Sequence, residues 1–168
     1  AQRGVHISVE ENLRRIPPHC VDPTVKNYHW GDMTAALFNA LDAGYDTTVL
    51  LDTNGYITEG PGFNIFAVID GKVLTPRSGM LEGISRKTVL EICADLGISC
   101  AETDINSDEF LSADEVFTAT TAGGPVPVTR VNKTILGNDT AGPITARVLQ
   151  TYWDWHNRDD LTEKITYI

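Results

Sequence analysis

Hydrophobic and polar positions change period several times along this chain. Residues 5–15 alternate and predict a strand, which Pro17-Pro18 breaks. Asp32 is placed to cap a helix over Met33–Leu41, where apolar residues recur at helical spacing. Thr47–Leu51 starts a first hairpin. From Asn54 to Pro76 the chain reads N-G-Y-I-T-E-G-P-G-F-N-I-F-A-V-I-D-G-K-V-L-T-P. Asn54-Gly55 and Asp70-Gly71 signal two-residue type I′ turns, so this segment predicts two hairpins laid end to end with Gly60-Pro61-Gly62 as the hinge. A helix is predicted over Gly83–Leu96, with Ile84, Val89, Leu90, Ile92, Cys93 and Leu96 inward and Gly97 as its stop. Ser99–Ile105 predicts a strand. Asn106 or Ser107 then caps a short helix ending near Ala113. Glu115–Thr120 and Pro127–Val131 form another hairpin, and Gly142 and Pro143 open a last helix to about Asn157. Many short strands with a few outer helices predict a mixed α/β, barrel-like domain built mostly of antiparallel hairpins.

Bulk properties narrow the partners. The 168 residues suffice for one domain with its own core, and 42% hydrophobic with 21% charged residues excludes a disordered chain or a fibre. A net charge of -10 argues against nucleic acid and anionic membrane as partners. No run approaches membrane-span length and no signal peptide opens the chain. Cys20, Cys93 and Cys100 are odd in number and lack C-x-x-C spacing. They therefore speak against a disulfide framework and for a reducing cytoplasm. His6, His19 and His156 show no ligand spacing, so no metal site is expected. Asn132-Lys133-Thr134 and Asn138-Asp139-Thr140 match glycosylation sequons but read as turn residues.

Candidate chemistry starts with Glu59, the one carboxylate at the Gly60-Pro61-Gly62 corner. Taken alone it reads as a solvated strand-end glutamate. Upstream, Lys26 stands in D-P-T-V-K-N-Y-H-W-G-D; downstream, L-E-G-I-S-R opens a helix at Leu81–Arg86. Further on, F-T-A-T-T-A-G-G-P-V-P-V ends a strand in a small-residue loop. Free N–H groups and the positive dipole end at Gly83-Ile84-Ser85 suit a phosphate, and Ser85 adds a hydroxyl. Lysine, strand-end glutamate, helix opening and Thr-Thr-Ala-Gly-Gly loop, in that order, resemble the class IV aminotransferases, the pyridoxal-phosphate enzymes of fold type IV. The resemblance runs from about Arg15 to the C-terminus. Within the family, K-N-x-x-W-G-D, T-E-G-x-G-F-N-I and T-T-A-G-G are most similar to (R)-selective amine transaminases, as is the run from Gly142 to Trp153.

The resemblance implies roles. Lys26 would carry pyridoxal 5'-phosphate as a Schiff base and shuttle the proton during transamination, in a partly desolvated site. Glu59 would face the pyridine nitrogen, with Phe63 and Asn64 on the same wall and Leu81 against the ring. Gly83, Ile84, Ser85, Thr120 and Thr121 would hold the phosphate. Arg86 lies inside the helix and takes no such role. Tyr28, Trp30, Thr121, Ala122 and Gly123 would line the substrate pocket. Tyr28 and His29 stand where an aliphatic and an amide residue are expected, so the amine donor stays open. The expected reaction moves an amino group from a primary (R)-amine or amino acid to a keto acid such as pyruvate, in a cytoplasmic homodimer. Branched-chain and D-amino-acid aminotransferases, aminodeoxychorismate lyase and a non-catalytic cofactor-binding fragment remain alternatives; T-T-A-G-G disfavours the branched-chain enzymes. A nucleophilic hydrolase is disfavoured because no G-x-S-x-G is present. Family members carry a smaller N-terminal α/β domain before this region, so residues 1–168 are expected to be the cofactor-bearing C-terminal domain of a longer protein.

Overall fold

A computed structural model describes residues 4–163 and 165. Strand β1 (Val5–Arg14) leads through an irregular loop to helix α1 (Gly31–Asp42). Then come β2 (Thr47–Leu51), β3 (Glu59–Gly60), β4 (Phe63–Ile69), β5 (Lys72–Pro76), α2 (Ile84–Asp95) and β6 (Cys100–Thr103). The chain continues with α3 (Ser107–Leu111), β7 (Glu115–Thr120), β8 (Gly124–Val131), β9 (Thr134–Ile135) and α4 (Pro143–Trp155).

One nine-stranded sheet runs in the order β2-β1-β8-β7-β4-β5-β6, with β3 on β4 and β9 on β8. β4 is antiparallel to β3, β5 and β7, and β8 to β7 and β9. β1 lies parallel to β2 and β8, and β6 parallel to β5. The β2 edge does not stay open. Leu51 bridges Ile57 antiparallel, and the Thr58 N–H donates to the Leu50 carbonyl at 3.0 Å. That contact returns β2 to the β3–β4 hairpin, which gives the expected barrel-like circuit and removes a bare strand edge. β5 and β6 extend outside it.

Strand alternation splits the core in two. Ile65 and Ala67 of β4 face inward with Ile7, Val49, Val116 and Val128. Phe66 and Val68 face outward, where Val89, Ile92 and Cys93 of α2 and Val148 and Tyr152 of α4 cover them. Phe66 and Phe117 stand directly opposite across β4 and β7 and stack with ring centroids 4.7 Å apart. Helices α2 and α4 thus ride on the outer face of the strands that end at the site.

Several expectations need correction. Asp70 and Gly71 both have positive φ, as a type I′ turn requires. Asn54 does not; only Gly55 does. The Asp52 carboxylate accepts the N–H groups of Asn54 and Tyr56 at 2.8 and 2.9 Å and builds a different turn. Gly60-Pro61-Gly62 is more than a hinge. Glu59 pairs with Asn64 and Gly60 with Phe63, so Pro61-Gly62 is itself a tight hairpin loop, with Gly62 at φ 86°. Asp32 does not cap α1; the helix starts a residue earlier, after Trp30. Ile84 is 80% exposed, because the inward stripe of α2 is Ser85, Arg86, Val89, Ile92 and Cys93. Asn106 does cap α3, accepting the Glu109 N–H at 2.8 Å. Asn132 and Asp139, read as turn residues, both have positive φ. The three cysteines are free thiols, and among the described residues no side-chain group is arranged to hold a metal. Among those residues, too, no helix is long and apolar enough to cross a membrane.

Candidate active site

Four segments of the chain converge on one cavity of about 280 Å³. Its wall takes Arg15, Lys26 and Trp30 from the segment after β1. Glu59, Phe63 and Asn64 come from the β3–β4 hairpin, Leu81, Gly83 and Ser85 from the start of α2, and Ala119, Thr120, Thr121 and Ala122 from the end of β7. These are most of the residues expected from the sequence. Three do not join them. The Ile84 side chain is exposed and Ile84 lies outside the lining. Tyr28 is 102% exposed, and Gly123 lies outside the lining.

Glu59 is the electrostatic centre. It is 5% exposed, so the reading as a solvated glutamate fails. Its Oε2 accepts the Leu81 N–H at 3.1 Å, and its Oε1 accepts from Arg15 Nε and Nη2, both at 3.4 Å. Arg15, itself 4% exposed, donates through Nη1 to Asp32 Oδ2 at 2.7 Å. Burial pushes the Glu59 carboxyl above its ordinary value of 4.5, against the Leu81 and Arg15 hydrogen bonds that pull it down. Arg15 is shared between Asp32 and Glu59, so an ionised Glu59 has no cation to itself among these contacts.

The same hairpin sets the start of α2. Asn64, the register partner of Glu59, donates through Nδ2 to the Leu81 carbonyl at 2.8 Å. Glu59 and Asn64 therefore grip the two faces of one peptide segment. Gly83 follows as the N-cap of α2, and a Cβ there would lie 2.3 Å from Asn64 Oδ1, so any larger residue must push the Asn64 amide aside. Among the described residues no side chain caps this helix, and its first turn holds no acidic residue. By contrast, the Glu115 carboxylate fills the start of α4, accepting from the Ile144 and Thr145 N–H groups at 3.0 and 2.7 Å. Opposite α2, Thr120 Oγ1 accepts the Ala122 N–H at 3.4 Å, which leaves its own proton to donate into the cavity. Arg86 turns away, bonding Thr75 Oγ1, the Pro76 carbonyl and Glu102.

Lys26 stands at the cavity rim and is exposed, not partly desolvated as expected. The loop around it is held by its own short-range bonds. Asp22 Oδ1 accepts from Thr24 N and Oγ1, Asn27 Nδ2 donates to the Val25 carbonyl, and Asn27 Oδ1 accepts the His29 N–H. At the loop's end, Asp32 Oδ2 also takes the Ile16 N–H at 2.7 Å and ties the two ends together. Sequence reasoning missed Arg15 and Asp32 as site residues. The one available signal was a basic residue directly ahead of Ile16-Pro17-Pro18.

The arrangement can hold a phosphorylated, cationic ring compound. An uncapped helix start with hydroxyls on both sides suits a phosphate, and a buried carboxylate with no cation to itself suits a ring cation. An amine at the rim of the same cavity suits a carbonyl compound held there.

Comparison with known proteins agrees with this chemistry. A family model described as amino-transferase class IV matches residues 6–131. The chain is 38% identical over 154 residues to a branched-chain-amino-acid aminotransferase of Pseudomonas aeruginosa, covering 91% of this chain and 50% of that protein. The structure superposes on the T.th. branched-chain amino acid aminotransferase with pyridoxamine 5'-phosphate at a TM-score of 0.88. That match has 31% identity over 95% of this chain and 53% of the other. The Escherichia coli branched-chain amino acid aminotransferase gives a TM-score of 0.86 at 31% identity, over 96% and 55%. The chain spans about half the length of the curated relatives it matches. With the family model covering most of its length and the fold superposing on solved members, this chain belongs to the class IV aminotransferases.

Proposed function

We propose that this chain is the cofactor-binding part of a pyridoxal-5'-phosphate-dependent aminotransferase. One observation carries the reading: the buried Glu59, the uncapped start of α2 and Lys26 share one cavity. When bound, the cofactor supplies an aldehyde that takes up amino groups and a protonated ring that accepts the electrons of a breaking Cα–H bond.

The chain's own residues supply the rest. The first-turn N–H groups of α2 bind the phosphate, joined by the Ser85, Thr120 and Thr121 hydroxyls. Glu59 holds the proton on the ring nitrogen. Its oxygens are fixed by Leu81 N–H and Arg15, and Arg15 is fixed by Asp32. Asn64 keeps Leu81 in place through the Leu81 carbonyl. Phe63 and Leu81 bound the ring, while Trp30, Thr121 and Ala122 bound the substrate side. Lys26 Nζ would hold the cofactor and would serve as the base for the proton at the substrate carbon. Its exposure fits a site whose wall another unit completes: an N-terminal domain, and a second copy in a homodimer. The same reading puts the enzyme in the cytoplasm.

Two donor classes fit. T-T-A-G-G favours a primary (R)-amine with pyruvate as acceptor. The names of its relatives favour a branched-chain amino acid. Turnover of an (R)-1-arylethylamine with pyruvate, against L-leucine with 2-oxoglutarate, separates them. Turnover of neither, nor of a D-amino acid with 2-oxoglutarate, by the full-length protein refutes the aminotransferase reading; release of pyruvate without an amino acceptor would indicate a lyase.

A further inference from the structure

Tyr152 lies behind the cradle, on α4, and none of the roles above uses it. It is 8% exposed, and its hydroxyl sits 3.3 Å from Ser85 Oγ, which is also buried. Ser85 lines the cavity and Tyr152 does not. The ring is fixed from several sides. A Cβ on Gly124 would come within 2.6 Å of Tyr152 Cε1, so the ring lies flush against the residue that ends the Thr120–Gly124 loop. Trp153 meets it edge-on with centroids 5.5 Å apart, and the His156 ring lies against it with centroids 5.1 Å apart. Tyr152 therefore touches both halves of the proposed phosphate cradle: the start of α2 through Ser85, and the β7–β8 loop through Gly124.

A serine hydroxyl has one proton and two lone pairs. A phosphate offers only acceptors, so Ser85 can bind it only by aiming that proton into the cavity. Its buried oxygen then needs a donor from behind, and an unmatched one costs free energy. We infer that Tyr152 is a positioning residue for phosphate binding: its O–H donates to Ser85 Oγ and turns the Ser85 proton toward a phosphate monoester in the cavity. The two bonds polarise each other in the same direction. This rests on the cofactor reading above.

The test compares binding of pyridoxal 5'-phosphate and of phosphate-free pyridoxal by the wild-type protein, Tyr152→Phe, Ser85→Ala and the double variant. Phenylalanine keeps the ring that packs on Gly124, so the variant retains its fold. Tyr152→Phe should weaken pyridoxal 5'-phosphate about three- to tenfold, the scale of one hydrogen bond. It should leave pyridoxal unchanged and add nothing in the Ser85→Ala background. The ³¹P resonance of the bound cofactor should move in Tyr152→Phe as well. Unchanged affinity, an equal loss for both ligands, or a full additional loss on top of Ser85→Ala would each overturn the inference. A wild-type protein that binds both ligands equally would overturn the phosphate site itself, and this inference with it.

Discussion

At the residue scale, the site turns on the charge state of Glu59. Its carboxyl is raised because burial outweighs the hydrogen bonds from Leu81 and Arg15. A raised acid favours its neutral form in the folded chain. The stability it contributes is full below the ordinary value of 4.5 and is lost as pH rises through the raised value. Without cofactor, the wild type should therefore lose stability relative to Glu59→Gln over that rise. A ring cation opposite Glu59 reverses the preference, so cofactor affinity should gain more across the same window in the wild type than in Glu59→Gln. Denaturant titrations and cofactor titrations on both proteins at stepped pH check the two signs. In the full-length enzyme, Glu59→Gln should bind cofactor but lose about 2–4 kcal/mol of transition-state stabilisation. Unchanged turnover would show that the carboxylate faces something else.

At the scale of elements, two helix starts have opposite designs. Glu115 fills the start of α4, and a Cβ on Gly142 would lie 2.1 Å from its carboxyl carbon. Glu115→Ala strips that end and should cost about 1–3 kcal/mol in thermal or denaturant unfolding, with cofactor affinity kept. The start of α2 is left open, and Gly83 is what brings it close to Asn64. Gly83→Ala forces Asn64 Oδ1 away and should cost about 1–3 kcal/mol of stability together with phosphate affinity, whereas Glu82→Ala at the exposed neighbour should change neither. Most elements were legible because periodicity and turn residues are local. Asp70-Gly71 behaved as its dipeptide says. Asn54-Gly55 did not, because Asp52 captured the turn's N–H groups. Arg15 was invisible for another reason: its partners, Asp32 and Glu59, are 17 and 44 residues away. No local pattern reports a bond of that span.

For the whole molecule, the pattern of exposure around the cavity matters most. Val25 is 60% exposed, Trp30 39% and Tyr28 fully so, all beside Lys26. A loop carrying apolar side chains and the proposed nucleophile, left open to water, is what a chain spanning half of its relatives' length would present. Purified residues 1–168 should bind cofactor weakly, self-associate with concentration by light scattering, and show little transaminase activity. Full activity from 1–168 alone would mean that the cavity is closed by residues already present.

The central claim is that the cavity holds pyridoxal 5'-phosphate with Lys26 as its covalent anchor. The most direct measurement is borohydride reduction of the cofactor-loaded full-length protein followed by peptide mass mapping. A visible-edge absorbance band is expected before reduction and a pyridoxyl mass on Lys26 after it. A mass on Lys72, Lys87 or Lys133 instead, or no adduct at all, would contradict the claim.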